Sequence, residues 1–207
     1  MAVFLEGYQG TIKYFVWQIT EPLEYLVSNL SPQEIIELSQ IQVIEKKCEY
    51  AAVRNLLQFI ASKEHFIYEP IQKNENGKPF LPTIPLEISI SHAFPFVAVA
   101  FAPKPLGIDI EEKKEKIRKV AQRVFSEKEL SFAHNNLDYL AQLWTAKEAL
   151  YKAYSRKGIA FRENIICDFC PEKQVFCKGW VKKEDFFTAY TLYHHSFTPT
   201  HHLCIAF

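Results

Sequence analysis

The sequence predicts an α+β protein in two halves, each made of helices packed on a small antiparallel sheet. Three observations carry that prediction. Helix-period apolar patterning and short strand-like runs occur in both the first and the second part of the chain. Turn residues separate the strand-like runs, as antiparallel connections require. Pro103-Lys104-Pro105 breaks the middle, giving an N-terminal half of residues 1–104 and a C-terminal half of residues 105–207. A chain of 207 residues with 48% hydrophobic content is long enough to bury a core in each.

The elements follow in order. YFVWQI, from Tyr14, reads as a strand. Ser31-Pro32-Gln33-Glu34 has the form of a capping box with proline at the first helical position. A helical pattern then runs through Ile35, Ile36, Leu38, Val43 and Ile44, and a second through Tyr50, Val53, Leu56, Leu57 and Ile60. Past His65, FIYE reads as a strand, followed by a hairpin-like turn at Asn74-Glu75-Asn76-Gly77 and by the strands EISISH and FVAVAFA. The second half opens with the strand LGIDIE. Helices follow from about Lys114 to Val124, from Glu127 to about Ala133 with Ser126 as N-cap, and from about Leu140 to Tyr154, ended near Gly158. IICDF, QVFCKGWV, FFTAYTLY and HLCIAF complete the pattern as strands.

Composition excludes more than it identifies. The 24 basic and 24 acidic side chains cancel, so there is no nucleic-acid or membrane signature. MAVFLEGYQG lacks the basic start and long apolar run of a signal peptide, and FPFVAVAF is too short to span a bilayer. Five cysteines, an odd number, point to a reduced, cytoplasmic protein. Cys167 and Cys170 have CxxC spacing, and the tail adds His194, His195, His201 and His202. No second CxxC or standard histidine pair completes a zinc site, so Cys167 and Cys204 read as small apolar residues.

Two stretches carry chemistry. In LGIDIE, strict alternation puts Leu106, Ile108 and Ile110 on one face and Gly107, Asp109 and Glu111 on the other. Two carboxylates on one strand face repel unless a cation neutralises them, and Gly107 leaves room for a close approach. A solvated edge-strand face is the plain alternative. In LWTAKEALYKAY, Trp144, Glu148 and Lys152 recur at four-residue spacing along one helix stripe. Glu148 and Lys152 alone would be an ordinary surface ion pair. Asp109, Glu111 and Glu148 together offer the hard oxygen donors that suit Mg²⁺, with a lysine beside them, a combination that points to chemistry on phosphate or pyrophosphate.

Gly107-Ile108-Asp109-Ile110-Glu111, followed by Trp144-Thr145-Ala146-Lys147-Glu148 and Lys152, resembles the 4′-phosphopantetheinyl transferases. Gly77-Lys78-Pro79, Ile90-Ser91-His92 and Phe125-Ser126-Glu127-Lys128-Glu129 resemble further motifs of the larger, surfactin-synthetase-activating type, in register from about residue 45 to 160. The resemblance implies two similar halves related by pseudo-twofold symmetry, with coenzyme A in the cleft between them. It implies transfer of the phosphopantetheine arm of coenzyme A to a serine of an apo acyl or peptidyl carrier protein, with release of 3′,5′-ADP. A monomer is the expected state.

By the same resemblance, Asp109 and Glu148 bind Mg²⁺ directly, and Glu111 directly or through water. Glu129 sits at the position of a general base, with Glu127 as competitor, while Lys147 and Lys152 neutralise phosphate. Trp144 is packing that fixes the helix. His92 with Ser91 grips the 3′-phosphate, and Lys78 is a further phosphate contact. Lys46, Lys47 and Arg54 are basic residues for coenzyme A. Arg54 is the best placed of these, since a charge amid AAVRNLL needs a partner. The chain reads Ser91-His92-Ala93 where many relatives read Ser-His-Ser. A metal-dependent phosphohydrolase, or an idle module that binds coenzyme A or a carrier protein, are the alternatives.

Overall fold

In the computed structural model, residues 3–184 and 186–207 are described. The chain divides into two compact units, Met1–Pro103 and Lys104–Phe207. In the first, β1 (Val3–Gln9) and β2 (Ile12–Gln18) form a hairpin, and α1 (Leu23–Val27), α2 (Pro32–Ser39) and α3 (Ile44–Glu64) follow. The short hairpin β3 (Gln72–Lys73) and β4 (Pro79–Phe80) precedes β5 (Glu87–Ala93) and β6 (Phe96–Ala102). The main sheet is antiparallel in the order β1-β2-β6-β5. The apolar face of α3 (Val53, Leu56, Leu57, Ile60) closes over Phe15, Trp17, Ile88, Val97 and Val99 of that sheet.

Local chemistry explains the boundaries. α2 starts at a complete capping box: the Ser31 side chain accepts from the Glu34 N–H, and the Glu34 carboxylate accepts from the Ser31 N–H at 2.9 Å. Asn74 sets the turn between β3 and β4, its side-chain oxygen accepting from the N–H groups of Asn76 and Lys78, both at 3.0 Å. Gly77 completes it at φ +87°, a conformation costly for any residue with a Cβ.

In the second unit, β7 (Gly107–Glu112) is followed by α4 (Lys116–Val124), α5 (Glu127–Ala133), α6 (Leu137–Tyr154) and the single turn α7 (Phe161–Asn164). β8 (Ile165–Cys170), β9 (Val175–Lys183), β10 (Phe186–Ser196) and β11 (His201–Ala206) then form an antiparallel sheet in the order β7-β11-β10-β9-β8. α6 lies across it, burying Leu143, Ala146, Ala149 and Leu150 against Phe176, Val181, Cys204 and Ala206. The last contacts place Cys204 in the core, and Cys167 is buried there too. Among the described residues, no helix is long and apolar enough to cross a membrane.

Three features depart from the sequence reading. The helical pattern through Ile44 is two helices, because the chain opens after Ser39 and α3 begins at Ile44 with Val43 as its N-cap; Val43 and Ile44 are exposed. FIYE forms no strand. β1 and α1 lie in segments whose patterning was too short or too mixed to assign.

Among the glycines of the second unit, Gly107 has the closest neighbours. A Cβ there would stand 1.9 Å from the Ala149 carbonyl oxygen and 2.7 Å from the Ala153 nitrogen, both backbone atoms of α6. Gly107→Ala must therefore push α6 off β7. It is expected to lower stability by about 3 kcal/mol, the upper end for overpacking. Gly10→Ala, at φ +61° with nothing within 4 Å, should cost only about 1 kcal/mol. Urea unfolding midpoints of the two variants check the difference.

Candidate active site

The site in the second unit is built from one strand and one helix. β7 is the edge strand next to β11, and its Gly107-Asp109-Glu111 face turns toward α6. α6 begins at Asn136, whose side chain accepts from the Asp138 N–H at 2.8 Å, and presents Trp144, Glu148 and Lys152 on successive turns. Lys152 does not pair with Glu148 as a surface salt bridge. Its Nζ donates to Asp109 Oδ1 at 2.7 Å and to the Ile108 carbonyl at 3.1 Å. Trp144 Nε1 donates to Glu111 Oε1 at 2.9 Å while its ring stacks on Phe161, 5.6 Å between centroids. The tryptophan thus packs the helix, as expected, and also aims Glu111, a role the sequence reading missed.

The electrostatics are unbalanced. Asp109 is 4% exposed, and Glu111 and Glu148 are half-buried. Burial, and then the negative charge of Asp109, push Glu111 up to about 7 against the Trp144 N–H and the charges of Lys116 and Lys152. Glu148 is also pushed up to about 7, by burial, by Asp109 and by Glu111, with Lys152 opposing. Three carboxylates therefore share a face on which Lys152 is the ammonium in direct contact. All their donor atoms are oxygens, which fits a hard divalent cation. Among the described residues, no group of three or more His, Cys, Asp or Glu side chains is arranged so that it could hold a metal ion. An open acidic face suits Mg²⁺, which fills its remaining positions with water and phosphate.

Glu129 and Lys147 are not where a base and a phosphate contact are expected. Glu129 is 2% exposed and Lys147 0%. Their charges pair at 2.8 Å, Lys147 also donates to the carbonyls of Val124 (3.0 Å) and Phe161 (2.8 Å), and Glu129 accepts from the N–H groups of Ser126 and Cys167 at 2.7 and 2.9 Å. Ser126 and Glu129 form a capping box, so the pair ties the start of α5 to α6 and β8. A carboxylate with both oxygens engaged in the interior cannot take a proton from a substrate without opening this brace. Glu127, by contrast, is exposed and lies 3.6 Å from Arg162.

In the first unit, a cavity of about 640 Å³ is lined by Lys46, Arg54, Lys73 and His92, with Tyr50 and the carboxylates of Glu37 and Glu49. Arg54 finds the partners its apolar setting demands: Glu34 at 3.7 Å, Glu37 at 3.6 Å and the Tyr50 ring face at 3.3 Å. Of the predicted nucleotide contacts, Lys46, Arg54 and His92 meet here. Lys47, Ser91 and Lys78 do not line it: Ser91 is buried, and Lys78 pairs with Glu87 beside a smaller recess. Lys73, one residue before the Asn74 turn, is a basic wall residue that the sequence reading passed over.

Residues 105–206 match the family model of the 4′-phosphopantetheinyl transferase superfamily. The chain is 37% identical over 92 residues to a 4′-phosphopantetheinyl transferase of Bacillus subtilis, covering 42% of this chain and 41% of that protein. It is 38% identical over 84 residues to 4′-phosphopantetheinyl transferase Sfp of Bacillus subtilis (strain 168), covering 38% of each. It is 38% identical over 90 residues to 4′-phosphopantetheinyl transferase gsp of Aneurinibacillus migulanus, covering 41% of this chain and 38% of that protein. The matched stretches thus span well under half the length of these relatives.

The raised carboxylates fix a pH dependence. A carboxyl with a folded pKa of about 7 and an ordinary value of 4.5 holds more protons folded than unfolded between those limits, so stability falls as pH rises through that window. Glu148→Gln removes one such group and its repulsion of Asp109 and Glu111. Thermal melts without divalent ions should show the wild type losing more stability than Glu148→Gln from about pH 5 to about pH 7.5. Added Mg²⁺ should raise the wild-type melting temperature at the upper pH and the variant's far less.

Proposed function

Taking as premise the match of residues 105–206 to the 4′-phosphopantetheinyl transferase superfamily, we propose that this protein transfers the phosphopantetheine arm of coenzyme A to a serine of an apo acyl or peptidyl carrier protein. The products are the holo carrier and 3′,5′-ADP, and the reaction depends on Mg²⁺. The observation that carries the reading is the acidic face shared by β7 and α6: Asp109, Glu111 and Glu148 beside Lys152, with Trp144 bonded to Glu111.

The chemistry is phosphoryl transfer from one oxygen to another. The serine oxygen attacks the phosphorus that bears the pantetheine arm, the bond to the bridging oxygen breaks, and the charge left on 3′,5′-ADP must be stabilised. When bound, Mg²⁺ supplies a Lewis-acidic centre for phosphate oxygens. Asp109 and Glu148 would hold it directly, with Glu111 completing the set directly or through water. Lys152, already anchored by Asp109 and the Ile108 carbonyl, presents a fixed positive charge beside that face. The buried Glu129–Lys147 pair acts as the brace that keeps α5 and α6 in place. Glu127 is exposed where Glu129 is buried, which supports Glu127 over Glu129 as the acceptor of the serine proton. The basic cavity of the first unit takes the 3′-phosphate end of the nucleotide, through His92, Arg54, Lys46 and Lys73. We further propose a monomer working in the cytoplasm; five free cysteines suit a reducing compartment.

Mass spectrometry of apo carrier proteins incubated with the protein, coenzyme A and Mg²⁺ tests the reading. The expected result is a carrier heavier by the phosphopantetheine arm. A folded protein that modifies none of a panel of fatty-acid, polyketide and peptide carriers would refute it, and 3′,5′-ADP released without any carrier would mark a hydrolase instead. Glu148→Gln should reduce transfer by about 10²-fold or more. Trp144→Phe keeps an aromatic ring against Phe161 but removes the hydrogen bond to Glu111. Its half-saturating Mg²⁺ concentration should rise by about tenfold, the scale of losses on removing a group that orients a metal ligand.

A further inference from the structure

Of the two acids that line the first unit's cavity, Glu37 and Glu49, Glu49 is the buried one, set among the basic side chains Lys46, Arg54, Lys73 and His92. It is 1% exposed on α3, yet it lines the first unit's cavity. Its Oε1 accepts from the Phe94 N–H at 3.0 Å, and its Oε2 lies 2.6 Å from Lys46 Nζ and 3.2 Å from His92 Nδ1. One carboxylate therefore links α3 to the end of β5 and to the turn before β6, and it holds two of the cavity's basic groups. A negative charge beside an anion site weakens binding by repulsion unless it organises cations that more than offset the loss. The bond at one imidazole nitrogen also decides the tautomer and orientation with which the ring meets a ligand.

We propose that Glu49 is a positioning residue for anion binding, which sets the His92 ring and the Lys46 ammonium for a ribose phosphate. The inference rests on the reading of this cavity as the nucleotide end of a coenzyme A site. Nothing in the motif resemblance assigns Glu49 a role: its signal is spatial, a buried acid that holds Lys46 on its own helix and reaches across to His92 and the Phe94 N–H. The same geometry sorts its variants. Glu49→Gln keeps an acceptor oxygen in place for the Phe94 N–H or the imidazole, whereas Glu49→Ala releases all three partners at once.

Calorimetric titration of the full chain with 3′,5′-ADP, and with 5′-ADP as the probe lacking the 3′-phosphate, tests this. Glu49→Ala should weaken 3′,5′-ADP binding by about tenfold, the scale of a charged hydrogen bond lost, and 5′-ADP binding much less. Glu49→Gln should stay within about threefold of wild type, because the carbonyl oxygen still orients its neighbours. In a His92→Ala background, Glu49→Ala should cost less than in wild type, since only its hold on Lys46 is left to lose. Thermal melts separate loss of binding from loss of folding, and Glu49→Gln serves as the near-isosteric variant if Glu49→Ala unfolds. Equal losses for Glu49→Ala with and without His92, equal losses for both nucleotides, or a Glu49→Gln variant as weak as Glu49→Ala would each overturn the positioning role while leaving the function standing. Wild type that binds neither nucleotide would overturn the nucleotide reading and this inference together.

Discussion

The close approach of α6 to β7 over Gly107 is the constraint on which the second unit depends. With no side chain between the two backbones, Asp109 and Glu111 on the strand come within hydrogen-bonding reach of Lys152 and Trp144 on the helix. The same approach sets Glu148 where it feels the charges of both strand acids. Hydrophobic burial along Leu143, Ala146, Ala149 and Leu150 supplies the force that holds the helix down. The acidic face is then assembled against its own repulsion, so a well-packed interior supports a locally unfavourable cluster of charge. Strain of this kind is expected where a ligand is to complete the balance.

Opposite charges are used in three different ways in this chain. On the β7–α6 face, acids outnumber the ammonium they contact, leaving negative charge to offer a cation. Around Glu49, one acid contacts an ammonium and an imidazole, and Arg54 and Lys73 line the same cavity, a setting that can offer donors to an anion. Between Glu129 and Lys147 the charges match and are sealed from water, with backbone groups taking the remaining hydrogen bonds. Of these three arrangements, the Glu129–Lys147 pair is the one buried from solvent on both sides. Removing one partner of such a pair leaves an uncompensated buried charge, which makes it a structural lock rather than a reactive group.

Much of this was legible in the sequence, and for identifiable reasons. Period-two alternation put Asp109 and Glu111 beside Gly107, and four-residue spacing put Glu148 and Lys152 on one stripe. Both are backbone periodicities and survive without knowledge of tertiary contacts. The partner of Lys152 was not legible, since a strand some forty residues upstream out-competes the neighbour one turn away. Lys147 and Glu129 were misplaced although signals existed. Leu143, Lys147 and Leu150 share the inward stripe of α6, and Ser126-Glu127-Lys128-Glu129 has capping-box spacing, which commits Glu129 to the backbone. Motif order suggested chemistry for these residues where local periodicity already indicated burial. Val43 and Ile44 misled in the opposite sense: apolar residues at helical spacing, but separated from α2 by a break that no proline or glycine marks.

The raised carboxylates also determine how the acidic face responds to a ligand. Burial and mutual repulsion hold protons on Glu111 and Glu148 above the usual carboxylate range, so the face carries less negative charge than its residue count suggests. A divalent cation, if held there as proposed, would favour the ionised forms and displace those protons, so its affinity would rise with pH. A diphosphate arriving with its own negative charge would be repelled by the face in its unloaded, ionised form. It is attracted only once a cation is present, with Lys152 adding a second positive centre. Under the proposed function, Asp109, Glu111 and Glu148 would hold the cation, and it would supply the positive charge that the acid face lacks toward a phosphate. The tryptophan bond to Glu111 matters here because it fixes one donor before the cation arrives, reducing the ordering required at binding.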